Sequence, residues 1–314
     1  MTNQTAQTEN PFTGFWHNKN YVWAGAMHLA WTELCEYIVK EAIAMHTTDE
    51  TVLSLIEAFN KPIFSKKDLA EDCYYVKSGF GNATVQQINQ ESKAKFPSKT
   101  LADLLEDLSE SGVIAYAYFL KKFSYAVAFE KHDWFCFQEH QVKGFYAINS
   151  KQRDNIEILN YWDDDKFIVR LLSADQKDEI ILCKGFDQDT PIEAYQNVLT
   201  YQNTHARLGE HDGFSMPEIH LNLHRKYTDL LGIPFKNKGF EGYFISAMFE
   251  NIKLDIDYEG ARAENEAVIV MSRGLGPRGL NLVLDEPFWL LMKQTNSDVP
   301  YVIVGVNNTE FMVK

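Results

Sequence analysis

Residues Gly239 to Lys293 read GFEGYFISAMFENIKLDIDYEGARAENEAVIVMSRGLGPRGLNLVLDEPFWLLMK and hold three β-type runs. The first, Tyr243 to Asp257, is rich in β-branched and aromatic residues. Its end alternates, with Ile252, Leu254 and Ile256 on one face and Asn251, Lys253 and Asp255 on the other, the period of a half-buried strand. The last, Leu280 to Lys293, carries Asp285-Glu286-Pro287 in its middle. A proline cannot donate to a ladder, so this run predicts two short strands with a bend between them. Glu259 to Gly279, in between, opens with small and charged residues and closes with three glycines and a proline, which places it at the surface. Its first part has period two: Ala261, Ala263, Asn265 and Ala267 are small, while Arg262, Glu264 and Glu266 are charged. A loop has no use for that alternation, whereas a segment able to become a strand, small side inward, requires it.

The order of these features resembles the C-terminal part of a serpin. That family has a strand ending in a Glu-Gly hinge, a small-residue segment, an exposed reactive loop, and a bent strand pair around Pro-Phe. Here the same features read as Tyr258-Glu259-Gly260, Ala261 to Ala267, Val268 to Gly279, and Pro287-Phe288, with YVIVGVNN in the place of the final core strand. The run INQESKAKFPSKTLADLLEDL resembles the family's passage through the helix lying across its large sheet. Gly112 to Phe119, GVIAYAYF, resembles its central strand, keeping Tyr118-Phe119. The similarity spans Asn82 to the C-terminus, and the N-terminal part is shortened.

Composition bounds the remaining classes. With 314 residues, 45% of them hydrophobic and 13% aromatic, the chain can bury a substantial core. A formal charge of −14 argues against nucleic acid or an anionic membrane as main partner. No apolar run reaches transmembrane length and no secretory signal is visible in the first thirty residues, so a cytoplasmic location is the default expectation. Cys35, Cys73, Cys136 and Cys183 are far apart and suggest neither a zinc site nor a disulfide framework, which leaves them as buried thiols.

In chain order, residues 1–19 are a polar arm and residues 20–314 a single domain. Trp23 to Met45 has the spacing of one long buried helix, with His28 a packed core histidine. Thr48 to Phe59 is a second helix capped by Thr47 or Thr48, Asp68 to Tyr75 a short third, Asn82 to Lys95 a fourth and Lys99 to Leu108 a fifth element. Gly112 to Phe119 is apolar enough for a strand covered on both faces. Ile156 to Tyr161 and Lys166 to Leu172 form a hairpin across Trp162 to Asp165, Pro191 to Thr200 is a helix capped by Thr190, Met216 to His224 alternates as a strand, and Lys226 to Leu231 is a short helix stopped by Gly232.

Other chemistries fit less well. Gly274, Gly276 and Gly279 match G-x-G-x-x-G, but the strand-like LNLVL follows where a dinucleotide site needs a helix N-terminus. His220 and His224 share one face of a strand roughly 13 Å apart, too far for one metal ion. His205, His211 and Asp212 read as a polar surface loop, Asp163 to Asp165 as a turn, and no nucleophile motif is present. Catalytic residues, metals and cofactors are therefore expected to be none.

The resemblance implies an α+β serpin-like fold: a large mixed β-sheet, smaller sheets, a cluster of N-terminal helices and an exposed reactive-centre-like loop. It implies a non-enzymatic protein that traps a serine protease by inserting its cut loop into the main sheet. Glu259, Gly260, Ala261, Ala263, Asn265 and Ala267 then form the hinge, and Arg273-Gly274 is the bond offered to a trypsin-like protease. The alternative is a non-inhibitory binding protein on the same scaffold, with another protein as partner. It is motivated by Ala115, Glu250, Ala24 and Met27, which stand where the family keeps an Asn, a His and serines beneath the opening of its sheet.

Overall fold

A computed structural model describes residues 19–97, 104, 107–186, 195, 196, 200, 206–260 and 279–314. The elements are β1 Tyr21–Ala24, α1 Ala26–Glu33, α2 Glu50–Asn60, β2 Tyr74–Phe80, α3 Gly81–Lys95, β3 Val113–Phe119, β4 Glu130–Phe137 and β5 His140–Tyr146. There follow α4 Ser150–Arg153, β6 Ile156–Asp163, β7 Lys166–Leu172, β8 Asp178–Lys184, β9 Ala206–Arg207, β10 Gly213–Pro217 and β11 Ile219–Lys226. The chain ends with β12 Phe249–Ile256, β13 Asn281–Val283, β14 Phe288–Gln294 and β15 Pro300–Val306. Two compact units result. The first comprises the described residues up to Trp23, Lys122–Leu223 and Asn251–Lys314; the second comprises Ala24–Lys121 and His224–Glu250.

The first unit is built on a seven-stranded sheet, β1-β15-β14-β8-β7-β6-β9, in which β14 lies antiparallel to both β15 and β8. Every residue of β8, β14 and β15 is buried, as expected for runs rich in Val, Ile and Leu at the centre of a covered sheet. Gly305 is required within β15, because a Cβ there would stand 3.0 Å from the Trp289 ring and 3.2 Å from Tyr21. Asp285-Glu286-Pro287 separates β13 from β14 as the sequence predicts. Asp285 also accepts an ion pair at 2.6 Å from the buried Lys184, which Asp165 approaches at 3.2 Å. A four-stranded sheet, β13-β10-β5-β4, completes this unit, with β13 parallel to β10.

The second unit contains the helices α1 to α3 and the two-stranded sheet β2-β3. Its core gathers Trp31, Leu55, Ile56, Phe59, Tyr227, Leu230 and Phe235. Here several expectations are corrected. The single helix Trp23 to Met45 is instead strand β1, then α1, then a π-helical turn Leu34–Val39 that ends at Lys40 in the left-handed region, φ 63°. Asp49, not a threonine, caps α2, accepting from the backbone N–H of Thr51 and Val52. Asp68 to Tyr75 is not a helix: Lys66–Asp68 and Glu71–Cys73 are single 3₁₀ turns, and Tyr74 opens β2. β3 is half-buried along its whole length rather than covered on both faces.

Elsewhere, α3, the β6–β7 hairpin and the final core strand match their predictions. The expected strand Met216 to His224 breaks at Glu218, where β10, paired with β5 and β13, gives way to β11, paired with β12. Only the last part of Tyr243 to Asp257 is a strand, and among the thiols only Cys183 is buried, Cys136 being exposed. Residues 1–18 and most of Lys99 to Leu108 and Pro191 to Thr200 lie outside the described residues.

Candidate functional site

The segment singled out by the sequence has two described ends, both in the first unit. At the first, Glu259 N–H donates to Asp257 Oδ1 at 2.9 Å, and Tyr258 C=O accepts from Phe129 N–H at 2.8 Å. Gly260 follows with φ 101°, and a Cβ on it would lie 2.5 Å from the Phe123 carbonyl oxygen. Both its conformation and its surroundings demand glycine. Burial holds the Asp257 carboxyl above its usual range, opposed by the hydrogen bond it accepts from the Glu259 backbone N–H.

At the other end, Leu280 N–H donates to Asp212 Oδ1 at 2.8 Å, Gly213 N–H to Leu280 C=O at 2.9 Å, and Asn281 N–H to Asp164 Oδ1 at 3.1 Å. Asp212 Oδ2 meanwhile accepts from Gly209 N–H at 2.7 Å. Both of its oxygens serve the backbone, in keeping with a structural loop. His205 lies outside the described residues, and among those described no group of three His, Cys, Asp or Glu could hold a metal ion. Ala261, Ala263, Asn265, Ala267, Arg273 and Gly274 also lie outside the described residues.

The second unit contains the positions that the resemblance places beneath the sheet opening. Glu250 is buried; its Oε2 accepts from Tyr227 O–H at 3.2 Å and lies 3.8 Å from Nη1 of the buried Arg225. Burial raises the carboxyl pKa, while Arg225, Tyr227 and the Met27 amide pull it back down. Sequence reasoning marked Glu250 but missed Arg225. Period two held the signal: Arg225 shares the inward face of β11 with Ile219 and Leu221, as Glu250 shares that of β12 with Ile252 and Ile256. His28 is a core residue as expected, 5.1 Å from the Phe59 ring, and burial lowers its pKa to about 4. His220 and His224 are exposed, His220 pairing with Asp255 at 2.5 Å.

Among solved structures, the chain matches Serpin48, described as a highly specific serpin of the insect Tenebrio molitor, with TM-score 0.51, 11% identity and 92% of each chain covered. It also matches thyroxine-binding globulin in complex with thyroxine, with TM-score 0.52, 13% identity, and 92% of this chain and 93% of that one covered. The chain has a serpin fold. No protein-family model and no curated protein sequence matches it. No helix among the described residues is long and apolar enough to cross a membrane.

Proposed function

We propose that this chain is a serpin-fold protease inhibitor, residues 20–314 forming the inhibitory domain. Glu259 and Gly260 act as its hinge, the alternating Ala261 to Ala267 segment adds as a strand, and Arg273-Gly274 is the bond presented to a trypsin-like protease. The observation that carries the reading is the Gly260 turn. After Glu259 the backbone takes φ 101°, and a Cβ on Gly260 would lie 2.5 Å from the Phe123 carbonyl oxygen, so glycine alone fits where the proposed hinge begins.

A second reading, a non-inhibitory binding protein, is favoured by Glu250 with Arg225 and Tyr227. A buried ion pair restricts rearrangement where the family's implied mechanism needs the sheet to open, since separating the charges inside the protein is costly. The globulin neighbour, whose structure holds thyroxine, offers an example of binding on this fold.

Incubation with trypsin separates the readings. Inhibition predicts a covalent protease adduct that survives denaturing electrophoresis, with cleavage after Arg273 and a sharp rise in Tm of the cleaved chain. Cleavage without adduct and without a gain in Tm overturns it in favour of the binding protein.

A further inference from the structure

The chain reaches the Gly260 turn from β12, and β11 begins beside that turn. Tyr227 N–H donates to Met248 C=O at 2.9 Å beyond one end of this strand pair, and His220 Nδ1 meets Asp255 Oδ1 at 2.5 Å near the other. That register sets Ile219 opposite Ile256, both buried and both at the ends of their strands. The next residues outward are Glu218 and Asp257. Their carboxylates face each other on the side of the ribbon that carries His220 and Asp255. Like charges directly opposite destabilise a strand pair.

Neither residue can step aside. Glu218 N–H donates to Lys143 C=O of β5 at 2.9 Å, which holds it where β10 passes into β11. Asp257 is held twice by the turn: its Oδ1 accepts from Glu259 N–H at 2.9 Å and its C=O from Gly260 N–H at 3.4 Å. Both residues are half-buried, unlike the exposed His220 and Asp255. Burial, then the Asp257 charge, hold the Glu218 carboxyl above its usual range; Asp133 adds to this, while Lys143 and Lys131 oppose it. Lys131 also lies over the Tyr258 ring, 4.6 Å from its centroid. The other charges acting on Asp257 are Glu259 and Asp255, and Asp257 in turn adds to the effect of burial in raising the pKa of the Tyr125 phenol. The bond from the Glu259 amide favours a charged Asp257, so the proton goes to Glu218.

We infer that Glu218 and Asp257 form a proton-operated latch on the Gly260 turn. Protonated Glu218 donates a hydrogen bond to the Asp257 carboxylate and closes the strand end; ionised Glu218 repels Asp257 and loosens the turn. The Glu218 pKa is higher folded than unfolded, so protonation tightens the turn. The gain is fully present below the ordinary glutamate value and is lost as pH rises through the folded pKa. The latch acts on the turn alone, and it holds whether or not the segment beyond Gly260 adds to a sheet.

Hydrogen exchange of the full chain between about pH 7.5 and 5 tests it, read as protection factors so that the intrinsic pH dependence of exchange is removed. Protection of Phe129 N–H, bonded to Tyr258 C=O, should rise at least about twofold on acidification, while Gly213 N–H, bonded to Leu280 C=O, should hold constant. E218Q, whose side-chain amide donates to Asp257 at any pH, should show raised protection of Phe129 N–H with no pH dependence. H220N, which removes the neighbouring ion pair with Asp255, should keep the wild-type profile. A flat or falling profile at Phe129 N–H, an equal rise at Gly213 N–H, a pH dependence that survives in E218Q, or one that vanishes in H220N overturns the latch.

Discussion

The two units bury their interiors by different means. In the first, β8, β14 and β15 contribute long runs of aliphatic residues, and the charges drawn in with them are paired: Lys293 with Glu179 at 2.7 Å, and Arg170 with Glu179 at 3.0 Å and Glu157 at 2.5 Å. In the second, single polar side chains organise the packing. Asn60 ties the helix end to the returning chain, Glu250 holds Arg225 and Tyr227, and His28 sits neutral against Phe59. The first unit should therefore respond to lost volume, and the second to lost partners and to pH.

The largest effect is expected from Arg225→Met, which leaves Glu250 buried without its cation. A loss of about 3–5 kcal/mol is expected near neutral pH. Because the Glu250 pKa already lies above its usual range, acidification should recover part of that loss by protonating the carboxyl, and R225M/E250Q should recover most of it at any pH. Urea unfolding at neutral and acid pH measures both. Leu290→Ala, in the fully buried centre of the seven-stranded sheet, should cost about 2–5 kcal/mol and show no such recovery on acidification. A pH-dependent L290A penalty would remove the contrast between the units.

His28 sharpens the contrast. Its folded pKa, about 4, lies below the ordinary 6.5, so burial favours the neutral ring. The neutral state contributes stability that is fully present above pH 6.5 and is lost as pH falls from 6.5 toward 4, about 3 kcal/mol across that window. His28→Leu should flatten that part of the stability curve, and an unchanged acid limb would assign the pH dependence to other groups.

The same contrast explains what could be read from the residues alone. Alternation at Ile252 to Ile256, the proline bend before Phe288 and the apolar run of β15 depend on pattern, and all three appear in the structure. The second unit was misread where one side chain overrules a pattern. The helical period from Trp23 to Met45 continues past Val39, yet a π turn and Asn60 redirect the chain. Tyr74 to Phe80 was missed because it becomes a strand only by pairing with β3, a partner about forty residues on. Of the candidate site, Gly260 is marked in the sequence only by the resemblance to a Glu-Gly hinge; its positive φ and the Phe123 carbonyl beside it are tertiary features that no local pattern announces. The Asp212 anchor was not legible, since its value lies in amides supplied by Gly209 and Leu280.

The smallest effects should come from the two ends of the 261–278 segment, and they compare regions within the first unit. Gly260→Ala meets both a positive φ and the Phe123 carbonyl, whereas Gly279→Ala meets the His211 backbone without a positive φ. Each should cost at least about 1–3 kcal/mol, Gly260→Ala through its positive φ together with the Phe123 carbonyl and Gly279→Ala through its closer approach to the His211 backbone. Hydrogen exchange reads them separately. Phe129 N–H, bonded to Tyr258 C=O, should exchange faster in G260A, and Gly213 N–H, bonded to Leu280 C=O, faster in G279A. If either substitution accelerates both amides, the two anchors open as one, and a cut between them would release both ends together. If each acts alone, the segment can let go at one end while the other stays fixed, which is what strand addition from the Gly260 side requires.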